Sequence, residues 1–309
     1  MNQQITIILA ESITKTAKIE RLLQLGLTRR QVADLVTNGN YGFVQNVYKK
    51  MMSRLAEEQP TSVPELNYSF NRRFGVEIEA YNCSRERLAR ELQEAGINVA
   101  VEGYNHTTRS HWKLVTDSSL SGNQTFELVS PVLVGEAGLK ELETVCWVLD
   151  LCDVKVNDSC GLHVHMDAVD FTIDTWKNLA LTYKHIERII DGFMPVSRRN
   201  NRYCKTLRNI AAPRIANATT ISELQQVFSH DRYHKLNLES YTRHNTVEFR
   251  QHSGTTNFTK MENWIRFISR MITFAQAGIL SERVTLENLP FLEQQQKLYF
   301  KLRTKKLAR

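Results

Sequence analysis

The sequence predicts an α+β protein, in which an antiparallel or mixed sheet carries helices on one face and a small all-α module precedes it. From about residue 70 to residue 277, strand-like runs are interspersed irregularly with amphipathic helical runs. Two strand-like runs, 234–241 and 245–252, follow one another around an Arg-His turn, which favours antiparallel pairing over a doubly wound parallel sheet. Residues 1–58 contain helical patterns only.

Length and composition set the protein class. The 309 residues suffice for about two domains. No apolar run approaches the ~20 residues of a membrane span, and the early ITIILA run is too short for a signal peptide, so we expect no membrane partner. The five cysteines are scattered and form no CxxC motif. This usage is typical of reduced thiols in a cytoplasmic protein.

The N-terminal module, residues 1–58, begins with helical periodicity over residues 15–25, which ends at Gly26, a natural C-terminal cap. Thr28 and Gln31 have the spacing of a capping box that opens a helix in TRRQVADLV. After a turn, YGFVQNVYKKMMSRL predicts a third helix. The arrangement resembles a helix-turn-helix module; a small bundle used for dimerisation or packing is the alternative.

On the helix-turn-helix interpretation, the third helix is a recognition helix. Its exposed face would carry Tyr41, Gln45, Asn46, Lys49 and Lys50. Glutamine and asparagine side chains suit base edges.

The net charge of +7 lies at the two ends of the chain. Residues 1–58 hold eight bases against five acids, and residues 282–309, a basic C-terminal extension, hold seven against three. The last thirteen residues, KLYFKLRTKKLAR, contain six bases and no acid and are predicted to form a basic arm. Such ends suit a polyanionic partner such as DNA, although a solubilising role fits equally.

Two prolines and little apolar pattern predict a linker at residues 59–69, followed by a catalytic domain at residues 70–281. Besides the pair described above, the predicted strands are 73–81, 97–103, 111–116, 124–130 and 160–168. The predicted helices are 84–95, 136–151, 172–192, 221–230 and 259–277.

Three strand-like runs carry two polar residues one position apart: Glu77 and Glu79, His163 and His165, and Glu248 and Arg250. In a strand, residues i and i+2 point to the same face. One such pair usually lies on the solvated face of a sheet. If the three strands are neighbours, however, their polar side chains share one patch.

Four glutamates, Glu77, Glu79, Glu127 and Glu248, would repel one another in such a patch. Each pair at about 4 Å costs about 4 kcal/mol at an effective dielectric near 20, so the cluster needs cations or protons. Carboxylates with imidazoles and no thiolate suit Mg²⁺ or Mn²⁺. A guanidinium beside them, that of Arg250, fits an arriving nucleotide phosphate. Neither GxxxxGK[ST] nor GxGxxG occurs.

Six stretches occur in a characteristic order: FGVEIE (74–79), HWKLVTDSSL (111–120), FELVSP (126–131), CGLHVHMD (160–167), HKLNL (234–238) and VEFRQHSGT (247–255). With them, residues 70–275 resemble the amidoligase family, carboxylate–amine ligases with a glutamine-synthetase-like catalytic fold. All matching stretches lie in one domain, so a single chain would suffice for the site.

The resemblance implies a pair of divalent ions and bound ATP. Glu77 and Glu79 would ligate different ions, with Glu127 completing one site and His163 and Glu248 the other.

It also implies roles around the ions. His165 and Arg250 would approach the nucleotide phosphates, Lys113 and Asp117 would place phosphate and the amine substrate, and Asn237 would support substrate or phosphate. Asp117 is a candidate for holding the ammonium or taking its proton. The stretch 197–214, with six bases and no acid, fits a phosphate- or carboxylate-binding rim or a solvated basic loop.

The expected function is therefore ATP-dependent joining of a carboxylate to an amine through an acyl phosphate. The basic module suggests that one partner sits on modified DNA or a nucleotide, as in a phage or another mobile element, with the host cytoplasm as the location. Three alternatives remain: a ligase acting on a small metabolite or peptide, a DNA-binding regulator with a ligase-like ligand-sensing domain, and a metal-dependent hydrolase or nuclease.

Overall fold

A computed structural model describes residues 3–58, 66–280 and 283–308. The chain forms two compact units, Met1–Glu65 and Leu66–Arg309. Residues 59–65 of the predicted linker lie outside the described residues. Leu66 and Tyr68, which follow them, pack against the core of the second unit.

The first unit is helical, as predicted. Its helices are α1 (Gln3–Ala10), α2 (Lys15–Gln24), α3 (Arg29–Val36) and α4 (Tyr41–Glu58). The predicted capping box opens α3: the Thr28 side chain accepts from Gln31 N, and the Gln31 side chain accepts from Thr28 N at 2.9 Å. Ile19, Leu22 and Val44 lie in the small apolar core of this unit.

The second unit is built on a mixed sheet. Its strands are β1 (Arg73–Ala80), β2 (Val99–Val101), β3 (Trp112–Val115), β4 (Phe126–Val129), β5 (Leu133–Val134), β6 (Gly161–Asp167), β7 (Leu236–Asn237) and β8 (Thr246–Ser253). The strand order is β2-β3-β4-β1-β6-β8-β7, with β5 paired to β1. Only β2 and β3 pair in parallel among the described strands.

Alternation along the strands separates the two faces of this sheet. Phe74, Val76 and Ile78 of β1 enter one apolar core, whereas the intervening residues of β1 face the other side. The helices of this unit are α5 (Arg85–Glu94), α6 (Gly135–Leu151), α7 (Ile173–Gly192), α8 (Ala212–Asn217), α9 (Ile221–Val227), α10 (Ser240–His244), α11 (Phe258–Ala277) and α12 (Gln294–Leu307). Side chains of α6, α7 and α11 complete the core, which confirms the predicted α+β fold class.

The prediction of a strand over 234–241 was wrong for most of its length. Only Leu236–Asn237 is a strand, because Asn237 then turns the chain: its Oδ1 accepts from Glu239 N at 2.9 Å. Ser240 then opens α10, and its Oγ donates to Thr246 O at 2.7 Å. Asn245, in the left-handed region with φ of 53°, returns the chain to β8.

The predicted basic arm is largely helix α12, which is docked through an aromatic cluster. Phe300 is buried, with its ring centroid 4.4 Å from that of Phe193 and 5.3 Å from that of Phe267. Arg303 Nε donates to Phe193 O at 2.8 Å. The basic side chains of α12 therefore lie on an ordered helix.

Two further predictions concern cysteines and membranes. All five cysteines are buried, and none forms a disulfide bond. Among the residues that the structure describes, no helix combines the length and the apolar character needed to cross a membrane.

Candidate functional site

The polar face of the sheet brings the three predicted residue pairs together, with Glu127 beside them. Cross-strand neighbours are Glu77 with His163, Glu79 with Glu127, and His165 with Glu248. Opposed residues of antiparallel strands share a face and lie close together. The neighbouring strands β4, β1, β6 and β8 thus converge on one patch.

A β-bulge helps to build this patch. Val164 pairs with Phe249, but Leu162 pairs with His252, so Arg250 and Gln251 together oppose His163. Arg250 stays on the polar face, while Gln251 is fully buried and accepts a hydrogen bond from Tyr183.

His163 lies at the centre of the carboxylates. Its Nδ1 is 3.0 Å from Glu77 Oε2 and 3.7 Å from Glu248 Oε1. Its Nε2 is 3.7 Å from Glu79 Oε1. One imidazole therefore links three of the four predicted glutamates.

His165 supports Glu77 from the other side. Its Nε2 is 3.5 Å from Glu77 Oε1, and its Nδ1 is 2.9 Å from Thr246 Oγ1. Burial opposes ionisation of Glu77, but the two imidazoles outweigh it and hold the pKa of Glu77 well below its usual value. Burial likewise disfavours a charged His165, yet Glu77 and Glu248 raise its pKa.

Glu248 is fixed by two neighbours. Asn237 Nδ2 donates to its Oε2 at 2.5 Å, and the Arg250 guanidinium donates to its Oε1. Burial would raise the pKa of Glu248, but the charges of Arg250 and the histidines lower it. These contacts favour the ionised carboxylate and hold the guanidinium beside it in place.

The opposite end of the patch is strongly acidic. Carboxylate oxygens of Glu79, Asp117 and Glu127 lie within 4.8 Å of one another. Burial is the largest cause, and repulsion from Glu77 and Glu79 adds to it, so that the pKa of Glu127 is raised well above its usual value. Such a cluster favours either a proton or a cation.

Three overlapping groups have the arrangement of cation ligands: Glu77, His165 and Glu248; Glu77, Glu127 and His163; and Glu79, Asp117 and Glu127. Glu127 stands with Glu79 in one group and with Glu77 in another, whereas His163 and Glu248, which the resemblance assigned to one ion, stand in different groups. His165 and Asp117, which were assigned to phosphate and amine, also stand in ligand positions. A donor set of carboxylates and imidazoles without thiolate fits Mg²⁺ or Mn²⁺.

The ammonium group of Lys113 is hydrogen-bonded to a loop. Its Nζ donates at 2.9 Å to three acceptors, Asn105 O, Asn105 Oδ1 and Thr107 O. Burial lowers the pKa of this ammonium. Although Lys113 borders a cleft with Glu127, its hydrogen bonds hold the segment 105–107 against the sheet.

Two clefts open onto the carboxylates, and both are lined by Glu77, Glu127 and His165. The larger, of about 570 Å³, is rich in cations and tyrosines: Arg198, Arg202, Tyr203, Arg232, Tyr233, Arg243 and Arg250. The smaller, of about 270 Å³, has a mainly apolar wall: Phe74, Val129, Pro131, Val132 and Val169.

Some of these lining residues were not predicted individually. Arg198, Arg202 and Tyr203 belong to the basic stretch 197–214, so the rim interpretation pointed to them without separating them. Arg232 and Arg243 flank the region that was taken as a strand. Only their charge marks them in the sequence.

The sequence profile of one protein family, described as "putative amidoligase enzyme", matches residues 70–272. No curated protein matches the chain. The match supports a ligase-type function and covers two-thirds of the sequence. It also includes all ten predicted site residues.

Proposed function

The chain belongs to the amidoligase family, and we propose that it is an ATP-dependent carboxylate–amine ligase. The observation that carries the proposal is one sheet face on which carboxylates, imidazoles and a guanidinium meet between two clefts. Two organic substrates and a nucleotide must reach the same reacting centre, and the two clefts give them separate routes to it.

The metal ligands follow from the groups described above. Glu79 and Glu127 would hold one divalent ion, with Asp117 beside it, and Glu77, Glu248 and His165 would hold the other. Ions bound at these ligands would neutralise negative charge on the phosphates.

The protein side chains orient the anionic reactants. Glu248 holds the Arg250 guanidinium at the cleft, where it can contact a phosphate. The terminal phosphoryl group passes from ATP to a carboxylate oxygen, and ADP leaves. The amine nitrogen then attacks the acyl carbon, phosphate departs, and a proton leaves the nitrogen, with Asp117 as the proposed acceptor.

The experiment is a screen for ADP formation in which amino acids, polyamines and DNA are tested as paired carboxylates and amines. The product should be lighter than the two substrates together by one water. Glu79→Gln should abolish ADP formation, whereas Glu136→Gln, at a carboxylate paired with Arg266 and 62% exposed, should not. The proposal fails if no pair stimulates ATP consumption or if Glu79→Gln stays active.

Two alternatives use the same face. A metal-dependent nuclease would degrade nucleic acid with Mn²⁺ in the absence of ATP. A DNA-binding regulator with a ligand-sensing domain would keep its DNA function in Glu248→Gln and form no ADP. These two assays separate both alternatives from the ligase.

We also propose that the N-terminal unit contacts DNA. Tyr41, Asn46, Lys49 and Lys50 are exposed on α4, whereas Gln45 accepts a hydrogen bond from Arg29 at 2.7 Å. Removing two phosphate-contacting lysines should make the slope of log affinity against log salt shallower by about 1.8.

The test compares two variants of equal charge in a salt titration. The double change Lys49→Ala with Lys50→Ala should reduce the slope. The double change Lys140→Ala with Lys155→Ala, at exposed lysines of the second unit, should leave it unchanged. Equal slopes in both variants would refute the DNA contact.

A further inference from the structure

A second guanidinium lies beside the carboxylate cluster, that of Arg198. It ends a short 3₁₀ turn, Val196–Arg198, and only 4% of its surface is exposed. Its Nη2 donates to Arg250 O, but its Nε is buried and has no hydrogen-bond partner within the described parts of the chain. Arg198 also lines the larger cleft.

Gly161 brings this guanidinium close to the acidic face. A Cβ atom at Gly161 would lie 2.9 Å from His163 Nε2, 3.0 Å from Arg198 Nη2 and 3.2 Å from Glu79 Oε2. The three polar groups therefore surround one point, which stays open only because residue 161 has no side chain. An anion held by ions at Glu79 would lie within reach of Arg198.

Within the part of the chain that the structure describes, the charge of Arg198 is not balanced by an ion pair. No carboxylate oxygen of residues 3–58, 66–280 or 283–308 forms an ion pair with it, although Glu79 lies nearby. Arg250, by comparison, is paired with Glu248. An unpaired buried charge with an unsatisfied N–H is costly, and an anionic ligand would remove both deficits. A guanidinium is also suited to phosphate oxygens by its planar donor geometry.

We propose that Arg198 is a catalytic residue that contacts the terminal phosphoryl group of ATP during its transfer, an inference that rests on the proposed ligase function. In that step the bond between the terminal phosphorus and the bridging oxygen of ADP breaks, and a bond to the substrate carboxylate oxygen forms. No proton moves. Arg198 remains protonated and offsets negative charge on the phosphoryl oxygens.

The test measures nucleotide affinity rather than turnover. Isothermal titration calorimetry of the full chain with Mg²⁺ compares ADP with an ATP analogue whose terminal bridge is an imido group. A charge-assisted hydrogen bond contributes enough that Arg198→Ala should bind the analogue about tenfold more weakly or worse, with ADP affinity changed less than about threefold.

Two further variants control for structure. Arg199→Ala removes the neighbouring guanidinium, which donates to Met194 O at 3.1 Å, and should keep both affinities. Arg198→Lys keeps a cation and a donor for Arg250 O but loses the planar fork. It should still bind the analogue selectively more weakly, and it decides the question if Arg198→Ala does not fold.

The outcomes separate the two proposals. Selective loss of analogue binding in Arg198→Ala or Arg198→Lys supports the phosphoryl contact. Wild-type affinities, or equal losses for ADP and the analogue, overturn it while leaving the ligase proposal intact. If the wild-type protein binds neither nucleotide, the proposed function fails, and the role of Arg198 fails with it.

Discussion

Glu127→Gln should stabilise the protein when metal is absent. Oxygens of Glu79, Asp117 and Glu127 lie within 4.8 Å of one another, and two unit charges at that distance repel by about 3.5 kcal/mol at an effective dielectric near 20. Proton uptake limits this cost, so we expect a gain of about 2 kcal/mol in the free energy of unfolding. For a unit of this size, that raises the Tm by about 4–8 °C.

The sign of the pH dependence follows from the raised pKa of Glu127. A carboxyl group whose pKa is higher in the folded than in the unfolded state contributes stability below its unfolded pKa, and that stability is lost as the pH rises through the folded value. The advantage of Glu127→Gln should therefore be small at about pH 4 and full above the raised pKa. Glu136→Gln should show no gain, because Arg266 pairs with that carboxylate and lowers its pKa.

The assay is thermal unfolding with chelator and then with Mg²⁺ or Mn²⁺. Ligand at a hundredfold excess over its Kd stabilises the wild type by about 2.7 kcal/mol. Glu127→Gln should gain less, since it loses a carboxylate ligand. The reasoning is refuted if Glu127→Gln lowers the Tm in chelator, or if metal raises both Tm values equally.

Three other predictions address the chemistry, shape and support of the site. Metal binding should release protons, and it should tighten as the pH rises through the raised pKa values of His165 and Glu127. Calorimetry in buffers of different ionisation enthalpy measures the proton release. A binding enthalpy that does not depend on the buffer would contradict the ligand assignment. Gly161→Ala should lower kcat by about tenfold or more with little change in Tm, because the methyl group would meet only the ends of side chains. Gly254→Ala should instead lower the Tm, because its Cβ would lie 2.5 Å from Cys160 Cβ. The opposite pattern in kinetics and melting would contradict this. Lys235→Met should lower the free energy of unfolding by about 3–5 kcal/mol, because the fully buried Lys235 Nζ lies 2.7 Å from Glu187 Oε1 and 2.6 Å from Asp191 Oδ1. Arg208 also pairs with Glu187, but its side chain is 40% exposed, so Arg208→Ala should cost under about 1 kcal/mol. Denaturant unfolding measures both losses, and equal losses would refute the role of burial.

The period-two pattern was the most informative part of the sequence. Strands with polar residues at alternate positions, such as Glu77 and Glu79, predicted which side chains share a face, and the pairing of β1 with β4 and β6 makes them neighbours. Strand order, however, depends on long-range pairing that one sequence does not encode locally. The sequence alone therefore did not establish that the strands are adjacent.

Other features depended on tertiary contacts. The triple hydrogen bonding of Lys113 to the segment 105–107 involves backbone carbonyls, which leave no trace in residue type. Helix α12 has the sequence of a charged arm, whereas the contacts that dock it, such as those of Phe300 with its aromatic partners and of Arg303 with Phe193 O, are made in the tertiary structure. Asn237 and Ser240 redirect a run that has the apolar character of a strand, so turn chemistry overrode β-propensity there.

On the proposed function, one sheet face holds two divalent ions and the phosphates of a nucleotide. Anomalous diffraction from crystals grown with Mn²⁺ and an imido analogue of ATP tests it most directly. We predict two manganese peaks, one ligated by Glu79 and Glu127 and the other by Glu77 and Glu248, with analogue phosphates beside Arg250. Manganese or nucleotide bound elsewhere, with these carboxylates free of metal, would show that this face is not the ligase site.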